Sequence, residues 1–207
     1  MDKLDLTKTD KVYYTATTKP QLIHIEKAHY LSIVGKGDPS ESAFSDNIQA
    51  LYATAYAIKF IFKASNNDFV VPKLEGLWSF DEEKYSNISM DEAPSKIPRS
   101  EWNYRLMIRM PDFVTKEQVE TAIDIVTTKK QIKLASKIEF YEMTEGKVIQ
   151  ILHVGPFDNE PETLKLIQAF SKENNLQKNG THHEIYLSDF RKTSPDKLKT
   201  ILREPVK

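Results

Sequence analysis

The order strand, strand, helix, strand occurs twice along this chain, and that repetition constrains the fold more than any other feature. In the first half, Leu22-Ile23-His24-Ile25-Glu26 and Tyr30-Leu31-Ser32-Ile33-Val34 read as short strands around a Lys27-Ala28-His29 turn. Gly35-Lys36-Gly37-Asp38-Pro39 breaks the pattern. Phe44, Ile48, Leu51, Ala55, Ile58 and Phe62 then recur at three- and four-residue steps, which predicts a helix with one apolar face. Leu74 to Phe80 follows as a strand. In the second half, Ile138 to Glu142 and Val148 to Val154 read as strands around Thr144-Glu145-Gly146, and Gly155-Pro156 ends the second of them. Pro161 to Asn174 reads as a helix with Leu164, Ile167 and Phe170 inward, and the run from His182 closes the unit. Ile33-Val34-Gly35 parallels His153-Val154-Gly155, and Leu74-Glu75-Gly76 parallels His183-Glu184-Ile185.

The expected fold class is therefore α+β: duplicated strand-strand-helix-strand modules whose antiparallel sheets lie side by side. Helices cover one face in this reading, and the other face forms a ligand cleft at the seam. Residues 1–19 are an N-terminal extension, 20–110 the first module, 111–137 a connecting helix region and 138–207 the second module. Trp102 to Ile108 reads as another strand. Thr115-Lys116-Glu117-Gln118 has the form of a capping box, starting a helix that buries Val119, Ala122, Ile123 and Val126. Ser194-Pro195 predicts a C-terminal helix, with serine as cap and proline at the first helical position.

Composition removes several classes of function. The 207 residues carry a formal net charge of −1, whereas direct nucleic-acid binding calls for a clustered basic excess. No apolar run is long enough for a membrane span, and the polar, acidic start is unlike a signal peptide. The absence of cysteine excludes disulfides and thiolate catalysis and fits a reducing cytoplasm, the expected location. Gly35-x-Gly37 is too short for a phosphate loop, and there is no Gly-x-Ser-x-Gly elbow. Neither a cofactor nor a metal is expected. His182 and His183 are adjacent on a strand, point to opposite faces and cannot chelate one ion together.

The segment His182-His183-Glu184-Ile185-Tyr186-Leu187 holds the main candidate. On an extended strand Ile185 and Leu187 share one face, while His182, Glu184 and Tyr186 share the other. A carboxylate beside a phenol on a rigid strand suits a binding or catalytic role if that face lines a cavity; on an open face it would be ordinary surface. His182 is placed to influence the protonation of Glu184, and His183 reads as a packed residue. Glu75, the apparent repeat partner of Glu184, reads as structural. Trp78, Trp102, Tyr104, Tyr141 and Tyr186 all fall on predicted strands, as either core or the walls of a site for planar ligands. Trp102 and Tyr104 share a face. Trp78 lies opposite Glu75 unless Gly76 introduces a bulge.

These segments resemble a known family. Leu74-Glu75-Gly76-Leu77-Trp78, Trp102-Asn103-Tyr104-Arg105-Leu106, Met110-Pro111-Asp112-Phe113-Val114, Gln150 to Phe157, His182 to Asp189 and Lys197 to Arg203 are similar to the gyrase-inhibitor-like (GyrI-like) small-molecule-binding proteins. Phe190 and Phe157 depart from that pattern, which usually has proline and often has tyrosine there. The resemblance implies an aromatic-lined cleft floored by Glu184, as in the effector domains of drug-responsive transcription activators, where this carboxylate meets flat cationic drugs. With no DNA-binding segment before residue 20, the chain resembles the stand-alone members. One subfamily of these, the cyclopropanoid cyclopropyl hydrolases, opens the strained ring of DNA-alkylating natural products of the yatakemycin and CC-1065 type.

Three readings follow. In the first, the protein is a hydrolase: Glu184 orients or deprotonates a water, Tyr141 or Tyr186 donates to the substrate carbonyl, and Trp78, Trp102, Tyr104, Tyr186 and His182 hold a planar aromatic substrate. In the second it is a non-catalytic drug-binding or sequestering protein, or a partner of DNA gyrase. In the third it is purely structural, with no apolar pocket.

Overall fold

The computed structural model describes residues 3–89 and 91–207. The chain forms β1 (Gln21–Ile25), β2 (Ala28–Lys36), β3 (Leu74–Ser79), β4 (Asn103–Met110), β5 (Glu139–Met143), β6 (Gly146–Val154), β7 (His182–Tyr186) and β8 (Lys199–Pro205). Its α-helices are α1 (Leu6–Thr9), α2 (Lys11–Tyr14), α3 (Ser42–Ala64), α4 (Ala93–Lys96), α5 (Lys116–Thr128) and α6 (Glu160–Glu173). Among the described residues, no helix is long and apolar enough to cross a membrane.

The strands build one sheet in the order β1-β6-β8-β7-β3-β4-β2-β5, every neighbouring pair antiparallel. The order is palindromic in the modules, with β3 beside β7 at the centre. The α+β class and the duplication hold, but the repeating unit is longer than the sequence suggests: each helix is followed by two strands, so β8 answers β4. The first strand of each module also leaves its own module. β1 pairs with β6 (Leu22 opposite Ile149) and β5 with β2 (Tyr141 opposite Tyr30), although short turns join β1 to β2 and β5 to β6.

The C-terminal helix expected from Ser194-Pro195 is replaced by a single 3-10 turn, Pro195–Lys197, leading directly into β8. The reason is burial on both sides. Ile201 and Leu202, adjacent and therefore on opposite faces, are both fully buried between β6 and β7, an arrangement open to a central strand but not to an amphipathic surface helix. The Gln118 side chain does accept the Thr115 backbone N–H at 2.8 Å, so the capping box starts α5 as expected.

The two faces of the sheet are closed differently. Leu31, Ile33, Leu74, Leu106 and Ile108 pack under α3 and α5, while Ile149, Ile151 and Leu202 pack under α6. Tyr30, Met107, Ile185 and Ile201 lie on the opposite face, covered by Tyr13 and Tyr14 of the N-terminal segment. Residues before β1 thus complete a core. The cleft is consequently not on a helix-free face, as the duplication suggested. It opens on the helix face itself, because α3 and α6 each cover only one half of the sheet and leave the β3–β7 seam bare between them.

Candidate functional site

Over that seam lies a cavity of about 910 Å³. Alternation along β7 delivers its floor: His182, Glu184 and Tyr186 point into it, and β8 adds Glu204. Phe44 and Ile48 come from the first turns of α3, Glu160 and Leu164 from those of α6. The polar connection from β3 to β4 passes over the mouth and contributes Phe80, Tyr85 and Trp102. Exposed ion pairs, Lys178 with Glu82 at 2.5 Å and Arg99 with Asp158 at 3.5 Å, link this connection to the second module.

The floor is one hydrogen-bonded chain. The indole Nε1 of Trp78 donates to the Tyr186 hydroxyl at 2.9 Å, and that hydroxyl donates to Oε2 of Glu184 at 2.7 Å. His182 bridges two carboxylates, with Nδ1 3.1 Å from Oε2 of Glu204 and Nε2 3.5 Å from Oε1 of Glu184. Burial opposes a charge on the imidazole, but its hydrogen bonds to Glu184 and Glu204 prevail and raise its pKa to about 10. His182 is therefore an imidazolium at neutral pH. Burial, reinforced by the Glu184 charge, pushes the Tyr186 phenol well above its usual range, so it remains a donor.

The walls are aromatic. Phe44 stacks on Trp78 with ring centres 5.9 Å apart and planes 25° apart; Trp102 meets Trp78 edge-on at 6.3 Å, and Phe157 meets Tyr186 edge-on at 6.0 Å. Each such pair contributes about 0.5–1.5 kcal/mol beyond the area it buries, which keeps the walls in place without a ligand. Gly76 lies directly opposite Glu184. A Cβ on it would sit 2.9 Å from the Trp78 Nε1 and 3.1 Å from the Tyr186 hydroxyl, so only glycine lets this pair close over the strand. Gly76→Ala is expected to displace the indole, shifting tryptophan fluorescence and weakening binding of a planar aromatic probe about tenfold; unchanged emission and affinity would refute this account.

Of the residues singled out from sequence, Glu184, Tyr186, His182, Trp78 and Trp102 line the one cavity. Gly76 introduces no bulge, and Trp78 takes the face opposite Glu75. Tyr104 does not reach the cavity. It is 4 % exposed, stands behind Trp78 at 5.7 Å and accepts from Asn47 at 3.1 Å, so it supports the wall. Tyr141 is a correction. It lies on edge strand β5, opposite Tyr30 and hence on the other face of the sheet, under the Arg105 guanidinium at 4.2 Å, and cannot serve Glu184. Glu75 and Glu184 are not equivalent either: Glu75 lies on the opposite face of the sheet, where it accepts from the Tyr13 hydroxyl at 2.5 Å.

Sequence reasoning missed Glu160, Glu204, Phe44 and Phe157. Glu160 was detectable, since it precedes Leu164 by four positions and continues the inward stripe of α6. Glu204 was hidden by the expectation of a helix. Glu160 is 8 % exposed, and its Oε1 is buried with no hydrogen-bond partner among the described residues. Burial and the charge of Glu184 together push its carboxyl well above the usual range, against smaller opposing effects of His182 and Arg99. No cluster of three or more metal-ligating side chains is assembled among the described residues.

An aromatic-walled cleft with polar groups converging on its floor defines a small-molecule-binding domain. The chain belongs to the GyrI-like family: residues 104–207 match the GyrI-like small molecule binding domain. It is 36 % identical to a conserved protein from Listeria innocua, with a TM-score of 0.88 over 99 % of this chain and 100 % of that one. A crystal structure described as a hydrolase from Listeria innocua is 35 % identical, with a TM-score of 0.87 over 100 % of both chains. The EcmrR C-terminal domain shares the fold alone, at 13 % identity and a TM-score of 0.57 over 91 % of this chain and 97 % of that one. No curated protein matches the sequence.

Proposed function

We propose that this protein is a hydrolase that binds flat aromatic electrophiles in the cavity and opens a strained cyclopropane, the reactive group of DNA-alkylating agents of the yatakemycin and CC-1065 class. The observation that carries the reading is Glu184: an acceptor carboxylate, its side chain 12 % exposed, held between a phenol and an imidazolium beneath aromatic walls. The substrate lies against Trp78 and Phe44 with its three-membered ring over Glu184. A water accepted by Glu184 attacks the ring methylene and gives up its proton to the carboxylate as the carbon–carbon bond breaks. Release of strain drives the step, so general-base assistance of about 10²–10⁴-fold is sufficient. Tyr186 and His182 keep Glu184 oriented. The hydrolase descriptions of similar Listeria structures support the reaction class, and the cyclopropane is the substrate class we assign. The lack of cysteine fits action in a reducing cytoplasm, and destroying a DNA-alkylating agent would make the protein a detoxifying, drug-resistance factor.

A non-catalytic binder, sequestering drug or acting on gyrase, would use the same cavity. One observation favours it: both oxygens of Glu184 already face donors, the arrangement of a fixed counter-ion. Turnover separates the two. Purified protein mixed with a tenfold excess of a spirocyclopropyl cyclohexadienone should convert all of it to the ring-opened alcohol by mass spectrometry. Consumption that stops at one equivalent, or no ring opening, would leave the binder.

A further inference from the structure

The floor of the cavity holds two further carboxyls that the reaction above does not use, Glu160 and Glu204. Glu160 opens α6 and lines the same cavity as Glu184. The charged and titratable groups around it are Glu184 and His182 from β7, Arg99 from the β3–β4 connection, Asp158 from the turn before α6, and the Tyr186 phenol. None of them donates a hydrogen bond to it among the described residues, and its Oε1 is buried without a partner. A buried carboxyl in that condition is most costly as an anion, which favours its neutral acid or a ligand group that bonds it. Glu184, by contrast, meets donors on both oxygens. Glu204, the third carboxyl of the floor, also has a buried Oε1 without a partner among the described residues, but its Oε2 is engaged by His182 at 3.1 Å. A carboxyl fully engaged as an acceptor beside one with no donor at all, as Glu184 stands beside Glu160, is the arrangement that divides acid from base in hydrolytic sites.

We infer that Glu160 is the proton donor of this site, delivering its proton to the substrate oxygen on which charge collects while Glu184 receives the proton of the attacking water. This rests on the hydrolase reading and deepens it. The water oxygen bonds to the ring methylene, and the broken carbon–carbon bond sends its electron pair through the dienone to the carbonyl oxygen. That oxygen takes the Glu160 proton and leaves as a phenol. Glu184 ends protonated and Glu160 ionised, and one proton passing between them through solvent restores both, so one water is consumed per ring. The like charge of Glu184 and the burial of Glu160 favour the neutral acid in the resting site, as its raised pKa indicates. The role also fills the place left by Tyr141, which lies on the wrong face.

Glu160→Gln keeps shape and polarity but carries no acidic proton. It is expected to bind the spirocyclopropyl dienone within threefold of the wild-type Kd and to lose about 10²-fold in kcat. The wild-type rate should fall as pH rises through the ionisation of Glu160, and the E160Q rate should lack that limb. Infrared spectroscopy of the unliganded protein near neutral pH should show a carboxylic-acid band that E160Q removes. Wild-type turnover by E160Q, or no such band, overturns the donor role even if the protein proves to be a hydrolase. A band present in a protein with no turnover removes the hydrolase reading and the donor role with it. E160Q that keeps full kcat but loses affinity for an aromatic cation would make Glu160 a counter-ion only.

Discussion

Glu184→Gln is expected to reduce ring opening by two to four orders of magnitude in kcat while leaving the affinity for a neutral planar substrate within a few-fold. The amide still accepts from the Tyr186 hydroxyl, so the Trp78–Tyr186 chain and the wall it supports persist. What disappears is the only group in the proposal able to take the proton of the attacking water, and the size of the loss is that of general-base assistance. His182 also loses one of the two carboxylates that sustain its charge, so its pKa should fall from about 10. Chromatographic turnover, tryptophan quenching for affinity and an NMR titration of His182 would measure the three effects. Equal turnover by E184Q would remove Glu184 from the chemistry. Loss of affinity in step with turnover would make it a binding group.

The second large effect lies on the opposite face of the sheet. Arg203 is fully buried; it donates to Glu145 at 3.1 Å and to Gln150 at 3.2 Å, also bonds the Tyr13 carbonyl, and lies 4.3 Å over the Tyr13 ring. His183, also fully buried, stands 2.9 Å from Glu145 and 3.0 Å from Glu75, which in turn accepts from the Tyr13 hydroxyl. Two cations and two carboxylates thus balance beneath the N-terminal segment. Arg203→Met removes one cation and leaves a carboxylate buried without compensation, a change that costs about 3–5 kcal/mol. Urea unfolding should show the loss. A cost below about 1 kcal/mol would mean that water reaches the network.

The same cluster sets a pH window for stability. Burial raises the Glu145 pKa, but His183 and Arg203 outweigh it and hold the group at about 2. Its contribution is complete above the unfolded value of 4.5 and is lost as pH falls through about 2. Burial opposes a charge on His183, but Glu145 and Glu75 prevail and raise its pKa to about 9; His182 behaves likewise at about 10. Those contributions are complete below 6.5 and are lost as pH rises through about 9 and about 10. Unfolding free energy should therefore be greatest between about pH 5 and 6.5, and Arg203→Met should flatten the acid side, because a Glu145 pKa closer to its unfolded value of 4.5 leaves less stability to lose as pH falls. A flat profile from pH 6 to 10 would contradict the assigned charges.

Much of the site was legible because strand alternation is a property of the backbone. Placing His182, Glu184 and Tyr186 on one side of β7, and Ile185 on the other, needs nothing beyond a two-residue repeat. The helical stripe of α3 and the capping box of α5 were equally local. Glu160 was within reach of the same reasoning, one turn before Leu164. The family resemblance, carried by the same short blocks, agrees with the match over residues 104–207.

Everything that failed depended on contacts between distant parts of the chain. Ser194-Pro195 is a sound helix start, yet the tail becomes β8 because a slot between β6 and β7 buries both of its faces. Tyr141 has the composition of a site residue, but β5 crosses to the edge of the other module and turns it to the far side. Sequence by itself determined which side chains share a strand face or a helix stripe, since those relations are set by bond geometry within a few residues. Only the tertiary structure decided which face holds the cavity and which carboxyls meet there. Those outcomes depend on strand exchange between the modules and on two helices too narrow to cover the seam, and no local pattern encodes either.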